Sequence, residues 1–205
     1  MDKRGIFIVF EGGEGSGKDT HIERLKSLYP NVVYTREPGG TKIGEQVREL
    51  LLANGSTGMD VRAELMLFLA ARAQLVAEVV EPALKAGKTV ISNRFGLSTI
   101  AYQIYGRERH ECLDFLKEVS AFVVGKFTPD VYILLDVTPQ VGVERAGRRA
   151  EAMNRFDTEH LAFHERVREG YKKHIGELGQ HFIINADQPL EAVWHDVEKA
   201  VASVL

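Results

Sequence analysis

The chain has 205 residues, 44% of them hydrophobic, and a formal net charge of −3. This length suits one α/β domain with a substantial core, and we expect no second full domain. The charge argues against a general nucleic-acid or membrane-surface binder and leaves small anionic ligands as candidates. Cys112 is the single cysteine, so no internal disulfide can form, and charged residues interrupt the apolar stretch from Leu65 to Leu84. We therefore expect a cytoplasmic protein without a signal peptide or a membrane span.

The first predicted element is a buried strand at Ile6–Phe10, and a glycine-rich turn follows it directly. Gly12 and the pair Gly17-Lys18 have the spacing of a phosphate-binding loop, in which backbone N–H groups converge on phosphate oxygens. A helix predicted at Lys18–Leu28 would point its positive end at the same phosphates. The alternative is a strand-to-helix turn that binds no ligand. The flanking strand and helix favour the phosphate loop.

The rest of the chain alternates between apolar runs and segments of helical periodicity, which is typical of a parallel sheet covered by helices on both faces. Further strands are predicted at Val32–Thr35, Thr89–Ser92, Val131–Asp136 and Phe182–Asn185. Further helices are predicted at Thr41–Leu52, Val61–Lys85, Leu97–Ile104, Glu108–Val124, Pro139–Arg148, Thr158–Leu178 and Pro189–Val204. The sequence thus predicts an α/β, three-layer P-loop NTPase fold, with a five-stranded parallel sheet flanked by helices and residues 1–205 forming one domain.

Between Arg145 and Arg155 the chain carries four arginines, several small residues and little apolar content. Such a segment is either a mobile basic flap or an ordinary solvated helix end. Because a phosphate loop is already indicated, we favour the flap and predict a short basic lid at about residues 145–157.

Further motifs occur in a definite order along the chain. They are REPGGT at Arg36–Thr41, LFLAAR at Leu67–Arg72, Asn93-Arg94-Phe95, Ser98, and Ala101-Tyr102-Gln103. Together with the phosphate loop, this combination resembles the thymidylate kinase family, and the resemblance continues to Asn185-Ala186-Asp187. It implies a P-loop nucleoside monophosphate kinase that transfers the γ-phosphoryl group of ATP to dTMP, giving dTDP and ADP. It also implies Mg²⁺ as cofactor and, usually, a homodimer.

The resemblance assigns the catalytic groups and the donor site. Lys18 would hold the β- and γ-phosphates of ATP, while Arg94 and Arg48 would hold the phosphate of dTMP. Because Glu14 stands where some relatives have a loop arginine, Arg149 and Arg155 in the lid would supply the remaining catalytic charge. The nucleotide would be contacted by Gly12, Gly13, Glu14, Gly15, Ser16, Gly17, Lys18, Asp19 and Thr20.

The resemblance also assigns the dTMP site. Phe68 would stack on thymine, Arg72 would hydrogen-bond the edge of the base, and Tyr102 would occupy the space of a ribose 2′-hydroxyl. Glu14 would face the sugar 3′-hydroxyl, and the pocket would be completed by Glu37, Ser98 and Gln103. Taken singly, Phe68 fits burial in the core better than ligand binding, Tyr102 fits either role, and Glu37 is compatible with a turn before Pro38.

Three residues depart from the family pattern, which usually has Ser or Thr at the position of Asp19 and Asp at the positions of Asn93 and Asn154. We hypothesise that the metal-site carboxylate has moved to Asp19, because a carboxylate is a hard oxygen ligand that suits Mg²⁺. The competing explanation is that Asp19 only complements the helix dipole. The departures also keep two other functions open, a kinase for another deoxynucleotide or nucleoside and a nucleotide-binding paralogue with impaired catalysis.

Overall fold

The structure is a computed structural model that describes residues 4–148 and 153–205. These residues form one parallel sheet of five strands in the order β2-β3-β1-β4-β5. The strands are β1 Phe7–Glu11, β2 Val33–Arg36, β3 Val90–Asn93, β4 Val131–Asp136 and β5 Gln180–Asn185. The predicted five-stranded parallel sheet is therefore confirmed.

Three strands end one residue later than predicted, each on a polar side chain. Glu11 pairs in register with Leu134, and Arg36 pairs with Asn93. The backbone ladder continues past the apolar run that predicted each strand, because its hydrogen bonds do not depend on side-chain polarity. This places Glu11, Arg36 and Asn93 together at the carboxyl edge of the sheet, where ligands bind in open α/β folds.

The helices cover both faces of the sheet. Their bounds are α1 Lys18–Leu28, α2 Lys42–Leu52, α3 Val61–Leu75, α4 Glu81–Lys85, α5 Gly96–Thr99, α6 Leu113–Val124, α7 Pro139–Gly147, α8 Leu161–His174 and α9 Leu190–Ala202. The prediction of α1 is confirmed to the residue, and the other helices lie within or beside their predicted ranges.

The long helix predicted at Val61–Lys85 is interrupted. A π-helical turn at Val76–Val80 separates α3 from α4. Pro82 follows this turn, and a proline lacks the N–H for the helical ladder and crowds the carbonyl four residues before it. A second π-helix, Ile100–Gly106, continues α5. Hydrophobic periodicity gave no sign of either wide turn.

Alternate residues of β1 enter two separate hydrophobic cores. Phe7 and Val9 face the side covered by α5 and α8, whereas Ile8 and Phe10 face the side covered by α1 and α9. Every residue of β1 is buried, as expected for a central strand of a three-layer fold. In the described part of the chain, no helix has the length and apolarity needed to span a bilayer.

Candidate active site

The predicted phosphate loop joins β1 to α1 and lies against α7. Gly15 has a φ of +66°, and a Cβ atom there would approach the carbonyl oxygen of Gly142 to 2.1 Å. At Gly12, with a φ of +146°, a Cβ atom would come within 2.5 Å of the carbonyl oxygen of Leu135. Side chains are therefore excluded at both positions by backbone conformation and by packing.

Lys18 begins α1, and its ammonium group turns back onto the loop. Nζ donates to the carbonyl oxygens of Gly12 at 3.0 Å and Gly13 at 2.9 Å, and to Ser16 Oγ at 2.9 Å. Burial, and after it the charge of Arg94, lowers the pKa of Lys18 to about 7. Phosphate oxygens would stabilise the charged ammonium far better than these neutral oxygens do. Lys18 is thus placed to bind a polyphosphate.

An open cavity of about 1020 Å³ runs along the carboxyl edge of the sheet past the phosphate loop. One end is lined by Phe68, Tyr102 and Gln103, and the other by Gln188 and Leu190. This volume is at the upper end of the ~300–1,000 Å³ typical of ligand sites. The cavity therefore has room for two ligands that meet at the phosphate loop.

Arg94 lies at the centre of this cavity in a sparsely populated backbone conformation, with φ 69°. Its guanidinium donates to the Gly12 carbonyl at 2.8 Å, to Glu14 Oε1 at 2.7 Å and to Tyr171 Oη at 2.8 Å. Tyr102 Oη lies 3.0 Å from Arg94 and donates to Glu14 Oε1 at 2.9 Å. Because its orientation is fixed by the loop and by two tyrosines, Arg94 is a preorganised anion-binding group.

Two buried residues behind Arg94, Glu11 and Tyr171, were not predicted from the sequence. Glu11, fully buried, accepts hydrogen bonds from the backbone N–H of Phe95 at 3.0 Å and from the hydroxyl of Ser98 at 2.5 Å. Ser98 Oγ also lies 2.7 Å from Tyr171 Oη. Burial raises the pKa of Glu11 to about 7, against the lowering effects of Ser98 and Arg94. A carboxylate that ends an apolar strand was the available signal for Glu11.

The raised pKa of Glu11 predicts a specific pH dependence of stability. The folded-state pKa of about 7 exceeds the ordinary value of 4.5, so the folded protein binds the extra proton between these values. The contribution of Glu11 to the free energy of unfolding is fully present below pH 4.5 and is lost as the pH rises to 7. Relative to Glu11→Gln, we expect the wild-type unfolding free energy to fall by up to ~3 kcal/mol across this window. Urea unfolding at pH 4.5, 6 and 7.5 measures this fall. The same pH dependence of the unfolding free energy in the wild type and in Glu11→Gln would refute the prediction.

The predicted base-binding residues separate into two layers. Phe68 lines the cavity, whereas Arg72 is 1% exposed and forms a bidentate ion pair with Glu37, with Nη2–Oε2 at 2.6 Å. Arg72 Nη2 also donates to Thr99 Oγ1 at 2.8 Å, and Nη1 is buried without a hydrogen-bond partner among the described residues. Arg72 is therefore held behind the wall of the cavity, with one donor still unused.

Arg155 points away from the cavity in this conformation, although it was predicted to approach the transferred phosphoryl group. Its side chain is 2% exposed, Nη2 lies 2.6 Å from Glu64 Oε2, and Nε donates to the carbonyl of Leu51 at 2.5 Å. The Coulomb attraction between the guanidinium and a buried carboxylate is stronger than an attraction across an open, water-filled cleft. The catalytic role of Arg155 remains a prediction that this geometry does not support. Arg149 lies outside the described residues.

Two of the three unusual positions meet at the phosphate loop. Asn93 Nδ2 donates to Asp19 Oδ1 at 2.5 Å, while Asn93 Oδ1 is buried and has no partner among the described residues. Asn154, by contrast, bonds to Asp157, three residues further along its own segment. No group of three or more His, Cys, Asp or Glu side chains suited to a metal occurs in residues 4–148 and 153–205. The Asp19–Asn93 pair nevertheless supplies the oxygen donors that Mg²⁺ prefers.

Further predicted residues also lie at the cavity. Arg48 lines it and donates from Nη1 to the Pro38 carbonyl at 2.8 Å. Thr20, Ser98 and Glu37 line the cavity as well. Glu37 is the ion-pair partner of Arg72. The structure thus brings together the loop, Arg48, Arg94, Phe68, Tyr102 and Gln103.

The fold and the loop together define the class. A parallel sheet with the order β2-β3-β1-β4-β5, and a glycine-rich loop with Lys18 between its central strand and α1, form a P-loop nucleotide-binding domain. Similarity to known proteins narrows the class. The thymidylate kinase family profile matches residues 10–197, and the chain belongs to this family.

Three relatives illustrate how close the match is. The chain is 44% identical to thymidylate kinase of Desulfovibrio desulfuricans over 211 residues, covering 98% of this chain and 96% of the relative. It is 43% identical to thymidylate kinase of Solidesulfovibrio magneticus, covering 95% and 99%. It is 38% identical to thymidylate kinase of Bacillus pumilus, covering 98% and 97%. The similarity therefore extends over nearly the whole length of each protein.

Proposed function

We propose that the protein transfers the γ-phosphoryl group of ATP to dTMP, giving dTDP and ADP for dTTP synthesis. The observation that carries this proposal is the position of Arg94 and Lys18 beside one loop, in a cavity with room for two nucleotides. Phosphoryl transfer requires alignment and charge neutralisation more than covalent catalysis. Lys18 would bind the β- and γ-phosphates of ATP, and Arg94 with Arg48 would bind the phosphate of dTMP.

The aromatic end of the cavity would bind thymidine. Phe68 offers a ring for stacking, and Tyr102, which is hydrogen-bonded to Glu14 and Arg94, would limit the space beside the sugar. Glu14 would accept from the sugar 3′-hydroxyl. The unused Nη1 of Arg72 is a donor suited to the O4 acceptor of thymine, and binding would have to open the cavity wall in front of Arg72 for the two to meet. Glu37 would act indirectly by orienting Arg72, and Ser98 by orienting Arg94.

The opposite end of the cavity would bind the adenosine of ATP, next to Gln188 and the start of α9. Arg145, in α7, donates to the Ala186 carbonyl at 2.7 Å and so attaches the first turn of the predicted lid region to this end. We propose that the lid, including Arg149, closes over the phosphates and excludes water, which would limit ATP hydrolysis.

Mg²⁺ would be held near Asp19 and Asn93, and it would neutralise phosphate charge when bound. Their direct contact supports the hypothesis that the carboxylate has been exchanged between the two positions. We expect Asp19→Thr to raise the Mg²⁺ concentration for half-maximal rate by ~10-fold, and the added Asn93→Asp to restore most of it. The test compares both single variants and the double variant, in activity and in calorimetric titration of Mg²⁺ with bound ATP. Strictly additive effects would contradict the exchange.

We further propose a cytoplasmic homodimer that binds neither nucleic acid nor membrane. Phe122 is 89% exposed on α6, and Phe115 and Met66 are about half exposed on α6 and α3, so these adjacent helices present an apolar surface that an identical subunit could cover. Sedimentation equilibrium should then give twice the chain mass of 22.9 kDa, and a monomer at micromolar concentration would refute the dimer.

A coupled ADP-release assay tests the proposed activity. Purified protein, ATP and Mg²⁺ are combined in turn with dTMP, dUMP, dCMP, dGMP and thymidine. We expect the highest kcat/KM with dTMP. A higher value with another acceptor would assign a different kinase, and no ADP with any of them would indicate a nucleotide-binding paralogue without activity.

A further inference from the structure

Glu64 is a buried carboxylate outside the phosphate-binding machinery, and it connects three elements. It lies in the first turn of α3 and is 1% exposed. Its Oε1 accepts from Gln103 Nε2 at 2.9 Å, and its Oε2 lies 2.6 Å from Arg155 Nη2. Arg107 Nε approaches Oε1 to 3.6 Å. Two guanidinium groups therefore lie against the Glu64 carboxylate.

The charge of Glu64 decides which way the Gln103 amide points. An ionised carboxylate only accepts hydrogen bonds, so the amide nitrogen of Gln103 must face Glu64. The reversed amide would place its carbonyl oxygen against the carboxylate and lose the bond. The carbonyl oxygen of Gln103 is then the part of the amide left for the cavity that this residue lines.

A fixed carbonyl acceptor in the cavity that Phe68 also lines would discriminate between pyrimidines by hydrogen-bond polarity. Thymine and uracil carry an N–H donor at N3, which such an acceptor can bind. Cytosine carries a lone pair at N3, which would face the oxygen without a proton between them, and an unpaired buried polar group is costly. We propose that Glu64 is a positioning residue that sets acceptor-base specificity by orienting Gln103. This proposal rests on the proposed dTMP kinase activity.

The rival explanation is that Glu64 only stabilises the fold through Arg155. The two are separated by a ratio of kcat/KM values, dTMP over dCMP. A purely structural loss lowers both values together and leaves the ratio unchanged. Loss of amide orientation lowers the value for dTMP selectively or raises the value for dCMP, so the ratio narrows.

The experiment uses Glu64→Gln, Gln103→Met and the double variant. Glutamine keeps the shape of Glu64 but can both donate and accept, so it no longer dictates the orientation of Gln103. We expect each single variant to narrow the ratio by ~10-fold, the equivalent of about one hydrogen bond. The ratio of kcat/KM values in the double variant should equal that in Gln103→Met alone, because both changes remove the same contact.

Arg62→Met is the control, since Arg62 lies in the same turn of α3 as Glu64 but forms its ion pair with the exposed Asp60. Its ratio should stay within ~2-fold of the wild type. If Glu64→Gln folds poorly, Glu64→Asp, which withdraws the carboxylate but keeps its charge, should give a smaller narrowing in the same direction. An unchanged ratio in both Glu64 variants, with a narrowed ratio in Gln103→Met, would overturn the proposal. Absence of dTMP phosphorylation by the wild type would instead refute the activity on which it rests.

Discussion

Lys18→Met should lower kcat by ~10³-fold, with a much smaller change in KM for dTMP. The ammonium group of Lys18 lies on the loop that would cradle the phosphates, and its interaction with the transferred group should be strongest in the transition state. Folding should survive, because methionine occupies a similar volume and burial already disfavours the charge of Lys18. Steady-state kinetics at saturating ATP measures the effect.

Lys26→Met is the control for this substitution. Lys26 lies on the same helix and forms an exposed pair with Glu23, which contributes little to stability. Its kcat should equal that of the wild type. If Lys18→Met retained a tenth or more of the wild-type kcat, Lys18 would not be a catalytic residue.

Arg72→Met should lower the free energy of unfolding at neutral pH by about 3–5 kcal/mol. The substitution leaves the carboxylate of Glu37 buried without its partner, and breaking a buried pair costs more than replacing both of its members. Burial already raises the pKa of Glu37 despite Arg72. Loss of Arg72 should raise this pKa further, so the destabilisation should be smaller at low pH, where Glu37 is protonated. Urea unfolding at pH 5 and pH 8 measures both effects.

The double variant Arg72→Met with Glu37→Leu should recover most of the lost stability, because no uncompensated charge remains. Arg62→Met is the surface control, since Arg62 and Asp60 are both exposed, and it should cost less than ~1 kcal/mol. Equal destabilisation by Arg72→Met and Arg62→Met would show that the buried pair has no special energetic role.

Local patterns were enough to predict the sheet and the phosphate loop. β4 and α1 have their predicted bounds, because each is set by a continuous apolar run or by a loop glycine followed by helical periodicity. The strand ends and the π-helical turns differ from prediction. The strand ends depend on the backbone ladder and the turn at Val76–Val80 on Pro82, neither of which hydrophobic periodicity registers.

Contacts between distant parts of the chain could not be predicted from local sequence patterns. Glu64 lies on the buried face of α3, but its partners Gln103 and Arg155 lie 39 and 91 positions further along the chain. The role of Arg155 was predicted from the family resemblance and its place in a basic flap, and the competing carboxylate that holds it is evident only from the contact between α3 and Arg155. Asp19 and Asn93 were each noticed as unusual, but only the fold brings them into contact.

The central claim is that the cavity aligns ATP and dTMP for direct transfer at the loop between Lys18 and Arg94. The most direct measurement supplies ATP labelled at the γ-phosphate together with dTMP and follows the label by chromatography. We expect the label to appear in dTDP, in equal amount to the ADP formed. Label released as inorganic phosphate, or retained in ATP while dTMP is unchanged, would contradict it.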